Sequence, residues 1–258
     1  MQWQHTATVA CIGCALIFQA CGGKDVRPAT QVSGEPKTGE TSTLETGAKM
    51  LQTAAPVKQF DVYLVGFHPL KDDPAVQVEA HHFCSQMNED FAQCALFDGN
   101  TKSAHLTGIE YIISEKLFNR LPAAEKQFWH PHNYEILSGE LVAPGLPETA
   151  EKLFMKQKMN SYGKTWHVWM TGTDGKGDAL PMGPAQLAWS FNHDGELRPD
   201  MLNQRDRKMN IDTTKKRQER QDLASAAHHQ QGVDALKGKF GGAAHSESSG
   251  AGGSGSGK

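Results

Sequence analysis

The residues of this chain that could do chemistry are histidines and carboxylates. The densest group is Trp129-His130-Pro131-His132-Asn133-Tyr134-Glu135, two histidines bracketing a proline with a glutamate three residues on. Proline lacks an N–H and disfavours helix at the residue before it, so the His-Pro-His segment is predicted to be extended. Residues i and i+2 of an extended chain point the same way, so both imidazoles can reach one ion or one substrate atom. Glu135 has the wrong parity for that side unless a turn intervenes. Three more polar clusters lie in apolar surroundings: His81-His82-Phe83-Cys84, Glu110 between Leu106 and Ile112, and His167 between Trp166 and Trp169. Glu110 shares strand parity with Leu106 and Ile112, so it points where apolar residues point. A carboxylate there must be paired, protonated or metal-bound, because an unpaired buried charge is costly.

Imidazoles with a carboxylate are the usual ligands of zinc and several other divalent ions. The candidate ligand set is therefore His130, His132, Glu110 and Glu135, completed from His81, His82 and His167. The other reading of the same residues is a structural network, with the histidines bonded to backbone, Glu110 and Glu135. The expected arrangement is convergence of His130, His132 and Glu110, with one more of these histidines, on one side of the sheet. No HExxH zinc motif is present. Nucleophilic catalysis has little support, since Ser138 stands in Leu137-Ser138-Gly139, which is not a GxSxG elbow, and no serine has an evident base. Whether any reaction is catalysed stays open. Cys84 beside His82 is either an activated thiolate or, in an exported protein, half of a disulfide with Cys94.

These residues need elements to hold them. The 258 residues suffice for one core of ordinary size with appendages, and 26 glycines point to part of the length being tail. A net charge of −3 implies no general polyanion-binding surface, so nucleic acid is not an expected partner. Residues 1–20 read as a signal peptide whose apolar part is too short to span a bilayer. Ala20-Cys21-Gly22 at its end resembles a bacterial lipobox, in which Cys21 is acylated. Residues 21–55 are expected to be a lipid-anchored flexible linker (a short helix over 46–55 aside), residues 56–203 the folded body, and residues 204–258 a solvated basic helix followed by a Gly/Ser-rich tail.

Within the body, residues 91–97 and 105–113 read as a hairpin around Asp98-Gly99-Asn100. Ser114 caps a helix and Pro122 begins another. Residues 134–142 read as a strand. Residues 147–159 read as an amphipathic helix with Leu153, Phe154 and Met159 on its apolar side. Strands are expected over 165–170 and through Leu187, Trp189 and Phe191, the last with one buried and one wetter face. Residues 57–65 fit helix and strand equally. Clustered strands without regular βαβ alternation argue a single α+β domain, a mainly antiparallel sheet with packed helices, flanked by a flexible N-terminal tether and C-terminal tail.

His81-His82-Phe83-Cys84, Asn88-Glu89-Asp90-Phe91-Ala92-Gln93-Cys94 and Gly108-Ile109-Glu110-Tyr111-Ile112-Ile113-Ser114 resemble, in this order, motifs of the oil body-associated protein family. So do Trp129-His130-Pro131-His132 with Glu135, Tyr162-Gly163-Lys164-Thr165-Trp166-His167, and Leu180-Pro181-Met182-Gly183-Pro184. Plant members of that family are associated with seed oil bodies, and bacterial members include lipoprotein-like chains. The resemblance implies no reaction, but groups the His, Cys and Glu residues as one signature. The expectation is an exported protein, lipid-anchored through Cys21 in a bacterial cell envelope, as an outer-membrane lipoprotein, acting at a membrane or lipid surface. Its partner would be the membrane. The alternative is a metal-binding protein or metal-dependent enzyme built on the His/Glu cluster.

Overall fold

Strand alternation organises the centre of the computed structural model, which describes residues 24–172 and 177–240. The signal segment 1–20, the acylation candidate Cys21 and the Gly/Ser-rich end beyond residue 240 lie outside the described residues. Four long strands come first: β1 (Val62–Pro69), β2 (Gln77–Asn88), β3 (Phe91–Phe97) and β4 (Leu106–Ile113). Shorter strands β5 (His130–Pro131), β6 (Tyr162–His167) and β7 (Gln186–Leu187) complete one antiparallel sheet in the order β1-β2-β3-β4-β6-β5, with β7 also paired to β6. The α+β class and the antiparallel sheet are those expected.

Directly opposed residues of an antiparallel pair share a face. The register therefore puts Leu64, His82, Leu96, Gly108 and His167 in one row, and Cys84, Cys94, Glu110 and Thr165 in the next. Every one of these residues is buried. Cys84 and Cys94 stand opposite each other and are joined as a disulfide, Sγ–Sγ 2.00 Å. The sheet curls around this face. Ala188 N donates to Thr165 O on β6 at 2.9 Å, while Trp189 N donates to Pro69 O at the end of β1 at 2.8 Å. The segment around Leu187 thus links both sides of the sheet and leaves the polar rows inside.

The helices are α1 (Gly39–Leu51), α2 (Glu115–Arg120), α3 (Ala123–Lys126), α4 (Asn133–Ser138), α5 (Glu148–Lys158), α6 (Pro199–Met209) and α7 (Thr213–Glu219), with a 3-10 turn at Gln221–Ala226. Ile136 of α4, Met155 of α5 and Leu223 pack with Leu64, Cys84, Leu96 and Ile112 of the inner face. On the outer face of β1, Phe67 packs with Phe191, Leu197 and Met201.

Several expected elements differ. Residues 134–142 are not a strand. The chain turns at His132 (φ −111°, ψ −10°), runs as α4, and stops at Gly139, whose φ of +80° is a left-handed helix cap that suits glycine. In α5 the buried side chains are Glu151 and Met155, and Leu153 is exposed, because the helix is rolled toward buried Arg220. Strand β6 begins earlier than expected and ends at His167. Trp189 and Phe191 are buried, but so are Ala188 and Ser190, because the segment is threaded between sheet and helices and has no wet face. A bulge between Leu96 and Phe97 breaks the parity of β4, so Leu106 is exposed while Glu110 and Ile112 point inward. Helix α1 starts at Gly39, capped by Thr38, and buries no residue.

Burial continues past the expected body of 56–203. Val26 packs with Val65, Val142 and Met209, and exchanges hydrogen bonds with Asn100. The basic stretch after residue 203 is not a solvated helix: Arg205 and Arg220 are among the most buried large side chains. Both spend their donors on otherwise stranded carbonyls and on carboxylates, which offsets the cost of burying them. Arg205 Nη1 donates to Glu140 O, and Arg220 Nη1 donates to Ile136 O and Leu141 O, each at 2.8 Å.

Candidate metal centre

Glu110 enters the curl from β4, His130 from β5 and His132 from the turn that opens α4. Their side chains meet. Glu110 Oε1 lies 3.4 Å from His130 Nε2 and 3.3 Å from His132 Nε2, and the two nitrogens are 3.2 Å apart. These three atoms form a nearly equilateral triangle. A tetrahedral ion with bonds of about 2.0 Å holds its ligand atoms about 3.3 Å apart, whereas an octahedral one with similar bonds holds them near ~2.9 Å.

The surroundings set the lone pairs. His132 Nδ1–H donates to Ser161 Oγ (2.8 Å), whose own hydroxyl donates to Lys158 O (2.7 Å). In that tautomer His132 Nε2 carries a lone pair aimed into the triangle. Such a bond from the far nitrogen is the usual way a ligating imidazole is oriented. His130 Nδ1 has no hydrogen-bond partner. Gly163 on β6 faces the triangle, and a Cβ there would stand 2.6 Å from both imidazole nitrogens and closer still to Glu110 Oε1. The space that a side chain would fill is the space an ion needs.

Burial opposes ionisation of Glu110, but its contacts with His130, His132 and His82 outweigh burial and hold the carboxyl well below its usual range. Burial pushes the His130 and His167 pKa values down to about 4, and that of His68 well below the usual histidine value. His130, His167 and His68 are thus neutral imidazoles near the Glu110 carboxylate. At Glu135 burial, with Glu110 and Glu140 nearby, drives the carboxyl well above the usual range.

Of the residues singled out from sequence, His82 also reaches Glu110, its Nε2 2.9 Å from Oε2. His167 stands one row away, with Nε2 3.1 Å from His68 Nδ1. Glu135 returns to the site because α4 supplies the intervening turn. It lines, with His68, His82, Glu110 and His132, a cavity of about 20 Å³. His81 is elsewhere: it points to the opposite face, with Nδ1 2.7 Å from the Tyr63 hydroxyl and Nε2 3.2 Å from Glu79 Oε1. His68 was missed by sequence reasoning. Its signal is parity with Leu64 and Gly66 along β1, unusable while residues 57–65 fitted helix as well as strand.

Comparison with known proteins adds a family. A family model described as "Protein of unknown function (DUF1264)" matches residues 54–224. Oil body-associated protein 1A of Zea mays is 39% identical over 198 residues, 77% of this chain and 82% of the relative. Oil body-associated protein 1B of Arabidopsis thaliana is 38% identical over 189 residues, 73% of this chain and 77% of the relative. Oil body-associated protein 2A of Arabidopsis thaliana is 39% identical over 182 residues, 70% and 72% of the two chains. No solved structure matches the chain.

Proposed function

The chain belongs to the oil body-associated protein family, and from that premise we propose that this member binds a divalent metal ion through Glu110, His130 and His132. The observation that carries this reading is the triangle of ligand atoms 3.2–3.4 Å apart. Its edges match tetrahedral better than octahedral coordination, which makes zinc the first candidate. Three protein ligands leave a fourth position open, the pattern of zinc sites that bind water or substrate rather than of closed structural sites. The rival is a purely structural network. There, the His132 ring proton is committed to Ser161, so a single proton on His130 Nε2 would have to serve both His132 Nε2 and Glu110 Oε1, whereas one cation would satisfy all three atoms together. Metal analysis of untagged protein prepared without chelator tests it: at least one tightly held divalent ion per chain is expected, lost in Glu110→Gln. Protein that stays metal-free after incubation with Zn²⁺ would reject the proposal.

A second reading, action at a lipid surface, is favoured by the outer face of the sheet and by the relatives' name. Tyr63, Phe83, Ala95, Ile109, Trp166 and Leu187 form one cross-strand row, and each is partly or largely exposed. An open apolar row of this kind marks an interaction surface. Among the described residues no helix is long and apolar enough to cross a membrane, so attachment would use this face together with the proposed acyl anchor at Cys21, in a bacterial envelope. In a Cys21→Ala chain the anchor is removed and the face is tested alone. Flotation with phospholipid-coated triacylglycerol emulsions is expected, and Ile109→Glu should abolish it. A Cys21→Ala chain that stays in the aqueous layer would count against the face, and an unchanged membrane fraction in cells of the Cys21→Ala, Ile109→Glu double variant would count against the anchor.

A further inference from the structure

The triangle uses one oxygen of Glu110. We infer that the other, Oε2, joins His82 and His68 in holding a second divalent cation, so that the centre is a carboxylate-bridged pair of ions. This rests on the reading of Glu110, His130 and His132 as a metal site and extends it.

His82 Nδ1–H donates to Ala80 O at 3.1 Å, which leaves the Nε2 lone pair facing Glu110 Oε2 at 2.9 Å. Two acceptors at that distance need a shared proton or a cation. His68 completes a second set: His68, His82 and Glu110 each present a ligand atom within 4.8 Å of the other two, and all three are buried. His167 contacts His68 Nδ1 through its own Nε2 at 3.1 Å and so orients that ring, as Ser161 orients His132. A cavity of about 20 Å³ lies beside this group, lined by His68, His82, Glu110, His132 and Glu135. A volume of that size accommodates one water-sized species. Glu135 brings a second carboxyl group to the wall of that cavity.

Zinc stoichiometry of the full chain, measured by native mass spectrometry after equilibration with Zn²⁺ and desalting, decides the matter. Two ions per chain are expected, falling to one in His82→Gln and in His68→Gln. One ion in the unsubstituted chain overturns the inference and leaves the single-ion centre standing. No ion overturns both, and two ions that persist in both variants place the second ion elsewhere and overturn it. Electron paramagnetic resonance of the Mn²⁺-loaded chain is independent of whether the variants fold: exchange-coupled ions are expected, and two uncoupled ions overturn the inference.

Discussion

At the scale of single residues, one missing Cβ makes the centre possible. A methyl group at Gly163 would occupy the space enclosed by Glu110, His130 and His132. Gly163→Ala should therefore lower zinc affinity by more than about 10-fold, beyond what loss of an orienting hydrogen bond causes at the low end. Isothermal titration with Zn²⁺ checks this, and unchanged affinity would remove the site from the triangle. Glu140 gives a pH-dependent test away from the ligands. Burial pushes its carboxyl up to about 8 against the opposing pull of Arg205, and its Oε2 has no hydrogen-bond partner. Between its ordinary value of 4.5 and about 8 the folded chain keeps a proton that the unfolded chain has lost. Stability from this group is thus present at low pH and falls as pH rises through that window, by up to about 1.4 kcal/mol per pH unit. Glu140→Gln, which stays neutral, should change little at pH 4.5 and stabilise the protein at pH 8. Urea midpoints at both pH values check it, and a pH-independent difference would contradict the assignment.

At the scale of elements, the site depends on helices that do not carry it. Arg220, just beyond α7, donates to Ile136 O and Leu141 O at 2.8 Å and to Glu151 Oε1 at 3.1 Å. It thereby pins the end of α4, the helix that holds Glu135, and ties it to α5. Arg220→Met strands two carbonyls and leaves Glu151 with Lys216 as its remaining cation, at an expected cost of about 3–5 kcal/mol. Adding Glu151→Leu should return part of that loss in denaturant titrations, and a cost below about 1 kcal/mol would show that the network contributes little. The β2–β3 pair offers a second test. Its Cys84–Cys94 bridge closes a short loop and should contribute about 2–3 kcal/mol by restricting the unfolded chain. Non-reducing mass spectrometry of protein produced in an oxidising compartment and purified without reductant should find the bridge, and two free thiols would refute it.

At the scale of the whole molecule, residues 204–240 pack as part of the domain. Gln230 accepts from Asn133 N (2.9 Å) and donates to Ser161 O (2.8 Å), so it clamps the two loops that present His132 and its orienting serine. Trp189 Nε1 donates to Gly232 O, and Leu236 is buried. The family match itself runs to residue 224, through both buried arginines. A chain ended at residue 203 should therefore lose cooperative unfolding, whereas one ended at residue 240 should keep it. Thermal denaturation followed by near-ultraviolet circular dichroism distinguishes the two, and a cooperative transition in the shorter chain would return the domain boundary to residue 203.

What local sequence determined is what local physics controls. Alternation and the Asp98-Gly99-Asn100 turn predict the β3–β4 hairpin, Ser114 marks the cap of α2, and parity sends Glu110 inward. Proline places His130 in extended chain. These signals depend on neighbours a few residues away, so they survive without a fold. Tertiary structure decided the rest. Whether 134–142 is strand or helix was settled by packing of Ile136 into the core and by carbonyls that Arg205 and Arg220 cap from 65 and 84 residues away. The face of the curled sheet set His81 apart from His82 and His167, and His68 joined those two only once β1 was closed against the segment around Leu187. A buried arginine and a solvated one have the same sequence signature, and the carbonyls and carboxylates that tell them apart are brought together only by folding.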